Sequence, residues 1–311
     1  SHCPQKSPPM SEQAYHIPAL LAPCIEGLSI KPDGAYVDAT FGGGGHSRAI
    51  MEKLGEKGRL FGFDQDINAW QNRLPDPRFT FVHSNFRYLQ NFLRYHGVEK
   101  IDGLLADLGL SFHHLYEAER GFSFRLDGPL KMCMNPSRER DAAHIVATYS
   151  AQQLTTVLST YGELRQAHRI AAAIVKARDK QPITTTHQLA NAVQPLINPA
   201  KASQEMAQVF QALRIEVNDE LGAIKQMLEA AAKVVRKGGR IAVISYHSLE
   251  DKLVKNFFRS GTFDGEVQKD FYGKVLRPLQ PVNKSVIVAS DEEVEANPRA
   301  RSAKLRIAEV L

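Results

Sequence analysis

The stretch Ala35-Tyr-Val-Asp-Ala-Thr-Phe-Gly-Gly-Gly-Gly-His-Ser47 constrains this chain most. An apolar run ends in an acidic residue, passes through four consecutive glycines and enters a segment of helical character. Glycines let a backbone approach a ligand where any Cβ would collide, and a strand that feeds a helix through such a turn points free N–H groups into the gap. The pattern reads as a nucleotide-type binding turn, set against the plainer reading of a flexible loop that only joins strand to helix. Gly42, Gly44 and Gly45 fall out of the G-x-G-x-x-G register of dinucleotide sites, and Asp38 precedes the glycines.

That arrangement suits S-adenosylmethionine better than NAD, and the rest of the first half fits it. From residue 35 to 111, short β-rich runs alternate with helical patterns, the signature of a doubly wound α/β fold with a mostly parallel sheet. Strands are expected over 35–40, 59–64, 79–84 and 101–108, with helices over 47–54, 67–73 and 88–96. From about 135 to 220 the pattern is almost entirely helical, with amphipathic stretches at 151–161, 166–179, 186–196 and 203–218. Sheet character returns at 239–246, and Ser248-Leu-Glu-Asp251 is a capping-box-like start for a helix over 249–258. Residues 274–278 and 303–310 are expected to pair antiparallel at the sheet edge. The expected organisation is a doubly wound core over 11–134 and 221–311, interrupted by an all-helical domain over 135–220.

A chain of 311 residues is long enough for two domains or for one with a large insertion. Residues 1–10 hold Pro4, Pro8 and Pro9 without periodicity and are set aside as a disordered tail. No apolar run is long enough to span a bilayer. Cys3, Cys24 and Cys133 are scattered without a C-x-x-C pair, which argues against zinc and fits a reducing cytoplasm. The net charge of +5 favours a polyanionic partner, set against the plainer reading of a basic but unspecialised surface.

Ligands of open α/β sheets bind at the carboxyl ends of the strands, so the residues just after each strand are the candidates. They are Asp38 with Gly42–His46, Asp64 with Asp66, Asn85 with Phe86, Asp107-Leu-Gly109, and His247. Asp64 stands about 20 residues past the glycines, where a carboxylate accepts hydrogen bonds from ribose hydroxyls; as an alternative it caps the next helix, a role that suits Asp66 better. Phe86 is placed to stack beside adenine or to fill core. Asp107 ends an apolar strand at the sheet's switch point, where a carboxylate can accept the N–H bonds of an exocyclic amine and orient it for methyl transfer. His46, His113, His114 and His247 show no metal-ligand spacing, so no metal is expected. Arg120 and Arg125, interleaved with Phe122 and Phe124, and Arg299, Arg301, Lys304 and Arg306 are candidates for binding RNA, against the alternative of solvated loops and protective edge charges.

Taken in order, these motifs resemble the ribosomal RNA small subunit methyltransferase H family, the cytosine-N4 methyltransferases of bacteria. The resemblance runs from His16 to Ile307 through Asp38–Ser47, Asp107-Leu-Gly109, Glu117–Phe124, Asp127-Gly-Pro129, Ser245–Asp251 and Asn297–Ser302. It implies a class I (Rossmann-like) methyltransferase core with an inserted helical domain, S-adenosylmethionine as donor, a cytidine in the decoding region of small-subunit (16S) ribosomal RNA as acceptor, and small-subunit ribosomal RNA or the assembled 30S subunit as partner. It places cofactor contacts on Gly44, Gly45, His46, Asp64, Phe86 and Asp107, and a further one, usually a glutamine, on His114. The sequence departs from the family at Lys131-Met-Cys133-Met134, where Asp-Met-Arg-Met is usual, and at Pro23, where glutamate is common. Three rival readings stay open at this point. A DNA amino-methyltransferase would carry a proline-aromatic motif after the fourth strand, which Asp107-Leu-Gly-Leu-Ser111 lacks; a non-catalytic RNA-binding assembly factor would keep the fold without turnover; and an NAD-dependent oxidoreductase would need a second nucleotide-binding half.

Overall fold

The computed structural model describes residues 17–311; the tail expected over 1–10, and His16, lie outside the described residues. The first five strands are β1 (Ala35–Asp38), β2 (Arg59–Asp64), β3 (Phe79–His83), β4 (Ile101–Asp107) and β5 (Val235–Ser245). They are followed by β6 (Gln268–Lys269), β7 (Val275–Leu276), β8 (Leu279–Pro281), β9 (Ile287–Val288) and β10 (Lys304–Val310). The main sheet has the order β3-β2-β1-β4-β5-β10-β8, with β9 also on β10. Its first five strands pair parallel, and β10 joins β5 antiparallel. This is a doubly wound α/β sheet with an antiparallel edge. Parallel strands are covered on both faces and need near-continuous apolar runs, which explains why Leu104, Leu105 and Ala106 of β4 and Ile241–Ile244 of β5 are all fully buried.

The chain divides into two compact units, one formed by the residues up to Gly109 with Ala223–Leu311 and the other by Leu110–Gly222. The second unit contains the helices Ala142–Thr148, Ala151–Gly162, Ala167–Lys180, Thr186–Val193 and Ala202–Asn218. Capping boxes at Ser150 with Gln153 and at Thr185 with Gln188 start two of them. Leu154, Leu158, Ile174, Leu189 and Leu213 fill its core.

This unit begins earlier than residue 135, where the helical pattern starts. Phe122, Leu130, Met132 and Cys133 are buried in the helical core, and the Asn218 side chain accepts from Met134 N at 2.9 Å and donates to Met132 O at 2.8 Å. The segment is irregular, so no periodicity announces which core it joins.

Three local expectations are corrected. Residues Ile67–Asn72 form a 3₁₀ helix rather than an α-helix, with the Asp66 carboxylate accepting from Asn68 N at 3.0 Å. Residues 274–278 do not enter the main sheet: β7 pairs with β6 in a separate hairpin, and Leu279–Pro281 takes the place beside β10. The helix Ser248–Ser260 is capped by His247, not Ser248, with Glu250 closing the box.

Candidate functional site

The chain leaves β1 toward β2 and β3 and returns to the other side of β1 at β4, so the carboxyl ends of β1 and β4 flank the switch point of the sheet. Asp38 ends β1 and is 1% exposed. Its carboxylate accepts from Ser47 Oγ at 2.7 Å and Thr40 N at 3.1 Å. Burial pushes its carboxyl above the usual range, opposed chiefly by His46 and Ser47. Asp38 therefore ties the strand end to the helix Gly45–Lys53 and turns no free oxygen toward solvent. Asp107 ends β4 with its carboxylate less confined. Its N–H donates to Thr40 Oγ1 at 2.7 Å, while its Oδ1 accepts weakly from Gly109 N at 3.4 Å.

The glycine turn between β1 and the following helix is held from below by Asp64. One carboxylate oxygen accepts from Gly42 N at 2.8 Å and the other from Asp66 N at 2.9 Å. Desolvation outweighs those two bonds and the carboxyl is pushed up to about 7. Gly42 and Gly44 have φ of 51° and 81°, in the left-handed region that favours glycine. A Cβ at Gly43 would meet no protein atom within 4 Å, whereas one at Gly45 would lie 2.8 Å from the Pro18 ring. Gly45 is thus dictated by protein packing, and Gly43 is not.

Pro18 belongs to a strap that crosses the start of this helix. The His46 ring Nε2 lies 2.9 Å from Ala19 O, and since a carbonyl only accepts, this nitrogen carries the proton. Its Nδ1 faces Asp107 Oδ2 at 4.0 Å. The strap is fastened by the far end of the sequence, with Leu20 N donating to Glu293 Oε2 at 2.8 Å and Asn297 Nδ2 donating to Ile17 O at 3.0 Å.

The sequence reading did not single out Tyr246. Its ring packs on Gly109, where a Cβ would lie 2.5 Å from Tyr246 Cε2. Its phenol is held well above the usual value, first by burial and then by the charge of Asp107 and a hydrogen bond to it. The charges of Asp107 and Arg299 both act on this phenol, in opposite directions. The signal was one residue away: β5 ends at Ser245, so Tyr246, not His247, is the first residue past the strand. His247 is instead occupied in capping, with Glu250 N donating to its Nδ1 at 3.4 Å.

Asp38, the glycine turn, His46, Asp64, Asp107, Tyr246 and Arg299 are all in the sheet unit. Phe86 is part-buried at the start of a 3₁₀ turn capped by Asn85, and Arg301 is exposed. Arg306 departs from the RNA-binding expectation, because its guanidinium is spent on Asp251 at 2.7 and 3.0 Å.

His114, Arg120 and Arg125 are in the helical unit. His114 packs on Phe122 with ring centroids 5.0 Å apart. Arg125 is exposed beside the Phe124 ring. Arg120 also departs from its expectation: it is 8% exposed and donates to the carbonyls of Cys133 and Met134 at 2.8 and 3.2 Å, so it fixes a loop instead of facing a phosphate. Cys133, one of the departures from the family pattern, is buried in that unit's core and accommodated there by packing. Among the described residues no group of three or more His, Cys, Asp or Glu is arranged to hold a metal ion, and no helix is long and apolar enough to cross a membrane.

The model of the MraW methylase family matches residues 13–311. Among curated proteins, the chain is 54% identical over 299 residues to the ribosomal RNA small subunit methyltransferase H of Parabacteroides distasonis, covering 96% of this chain and 98% of that one. It is 53% identical over 298 residues to the protein of the same name from Bacteroides thetaiotaomicron, with 96% and 98% covered. The like-named protein of Porphyromonas gingivalis is 55% identical over 313 residues, with 99% of each chain covered. With a doubly wound sheet, a glycine turn after β1 and carboxylates at its switch point, the chain belongs to the MraW methylase family of S-adenosylmethionine-dependent methyltransferases.

Proposed function

We propose that the chain methylates the N4 amine of a cytidine in the decoding region of small-subunit ribosomal RNA, presented by a flexible RNA junction or by the assembled 30S subunit. The observation that carries this reading is Asp107, an incompletely confined carboxylate at the switch point, with His46 Nδ1 at 4.0 Å and the Tyr246 ring packed on Gly109 next to it. The names of the relatives supply the RNA class.

The residues fit the cofactor. The open space around Gly43 leaves room for close backbone approach, and Asp64 offers a carboxylate to ribose hydroxyls. Gly44, Gly45, His46, Asp64, Phe86 and Asp107 hold it in this reading. S-adenosylmethionine, when bound, supplies an electrophilic methyl group. Asp107 accepts the N–H bonds of the target amine and so directs the nitrogen lone pair. Once methylated, the nitrogen releases one proton, for which Asp107 is the nearest acceptor in this reading. Arg299 and Arg301 contact RNA phosphates, and a base must be unstacked to reach the strand ends.

The pH dependence of cofactor binding follows from Asp64. Its ionised form is the acceptor, and it is protonated as pH falls through about 7. The dissociation constant is therefore expected to rise on going from about pH 8 to about pH 6, by up to tenfold for each unit below the transition. Asp64→Asn is expected to bind weakly at both pH values with that dependence lost. Calorimetric titration with S-adenosylmethionine checks this, and a pH-independent wild type would remove Asp64 from the site.

Transfer of labelled methyl from S-adenosylmethionine tests the reaction itself. Small ribosomal subunits lacking native modification are expected to be labelled in their RNA, with large subunits and duplex DNA unlabelled. Labelling of DNA alone would contradict the substrate assignment.

A further inference from the structure

The segment between the helix Ser248–Ser260 and β8 takes no part in the chemistry above, yet it is built with care. Its root is fixed to that helix. Phe263 stacks on Phe257 with centroids 5.0 Å apart and planes 16° apart, and Asn256 Nδ2 donates to Phe263 O at 2.9 Å. The Ser260 and Thr262 hydroxyls hydrogen-bond at 2.7 Å. Beyond the root, β6 and β7 pair only with each other, in register Lys269↔Val275.

The tip is a closed turn. Asp270 Oδ1 accepts from the N–H groups of Tyr272 and Lys274, both at 2.9 Å, and Gly273 takes a φ of 84°. On this turn Phe271 is 98% exposed and Tyr272 92% exposed, their rings edge to face at 5.8 Å. An isolated two-stranded hairpin gains little stability of its own. Two adjacent, fully exposed aromatics on a preorganised turn do not serve the folded core and mark a contact surface.

The charges nearby select its partner. Lys269 and Lys274 flank the aromatic pair. At the root, Arg259, Arg277 and Lys284 line a groove of 460 Å³. Of the acids in between, Asp264 and Asp270 turn an oxygen back onto backbone N–H groups of the hairpin itself. Aromatic faces for bases beside cations for phosphates is the arrangement that binds single-stranded nucleic acid.

We propose that residues 262–284 are an RNA-gripping hairpin, in which Phe271 and Tyr272 stack on unpaired bases and Lys269, Lys274, Arg259 and Arg277 contact the adjoining phosphates. The proposal rests on the reading that the substrate is RNA and adds a contact remote from the target nucleotide. Such a contact strengthens substrate binding equally before and during reaction, so it changes KM and not kcat.

The test compares the full-length wild type with Phe271→Ala/Tyr272→Ala, which removes only exposed atoms. The probes are a fluorescent uridine oligomer of about 12 nucleotides and small subunits lacking native modification. The double variant is expected to bind the oligomer about 10-fold or more weakly and to show a comparably raised KM for subunits, with kcat and S-adenosylmethionine affinity unchanged. Tyr272→Phe, which keeps the ring, is expected to match the wild type. Lys269→Gln/Lys274→Gln is expected to lower the slope of log Kd against log salt by about 1.4, roughly 0.7 for each lost phosphate contact. Oligomer affinity within about twofold of wild type for the Ala variant would overturn the proposal while leaving the enzyme reading intact. So would a raised KM for subunits without any change toward the oligomer, which would mean a protein partner, or a loss of self-association in sedimentation with RNA binding unchanged. A wild type that binds no RNA and labels no subunit would overturn both.

Discussion

Asp107→Ala is expected to reduce kcat for methyl transfer by about 10²- to 10⁴-fold, the range for a positioned group that handles a proton in the transition state. Folding is expected to be little changed. The backbone bond from Asp107 N to Thr40 Oγ1 survives the substitution, and the side chain's own bond to Gly109 N is long at 3.4 Å. Asp107→Asn keeps one carbonyl oxygen as acceptor and is expected to retain more activity than the alanine variant. Single-turnover transfer separates these effects from product release. An alanine variant within about threefold of wild type would remove Asp107 from the chemistry.

Gly128→Ala is expected to lower stability by about 3 kcal/mol, near the upper end for forced overpacking, and the melting temperature by on the order of 10 °C. A Cβ at residue 128 would lie 2.0 Å from the backbone oxygen of Ala118, which no side-chain rotation relieves. The loop would have to move. Movement there breaks bonds that tie it to the buried Thr186, namely Thr186 N to Gly128 O at 2.9 Å, Gly128 N to Thr186 Oγ1 at 3.2 Å and Thr186 Oγ1 to Leu126 O at 2.6 Å. Gly43→Ala is the control: its Cβ meets no protein atom within 4 Å. It is expected to melt close to wild type while losing cofactor affinity. Thermal unfolding of the two variants side by side checks both, and a Gly128→Ala protein as stable as wild type would show that the loop yields at no cost.

The parallel sheet is legible in the sequence because strands buried on both faces must be apolar through their buried stretch, as β2 is over 60–63, β4 over 103–106 and β5 over 241–244. Carboxylates just after such runs were legible for the same reason: Asp38, Asp64 and Asp107 each close a strand. Short exposed runs carry no such signal. Val275 and Leu276 looked like an edge strand and form half of a hairpin instead. Arg120 looked like one more surface cation, because nothing local to it reveals that Cys133 and Met134 return to cover it and supply its acceptors. Tyr246 is hidden because the apolar run extends through it although β5 ends at Ser245, and His247, a candidate by position, caps a helix. Contacts made across long sequence separations, such as Leu20 N to Glu293 and Asn297 to Ile17, leave no periodicity to read.

The most direct test of the account is the identity of the methylated nucleoside. Small ribosomal subunits lacking native modification are incubated with the protein and labelled S-adenosylmethionine, and the RNA is digested and its nucleosides resolved by mass spectrometry. The account predicts N4-methylated cytidine from a decoding-region fragment, absent when Asp107→Ala replaces the wild type. Label on another base, on the cytosine ring carbon or on ribose, or binding of S-adenosylmethionine without transfer to any RNA, would contradict it.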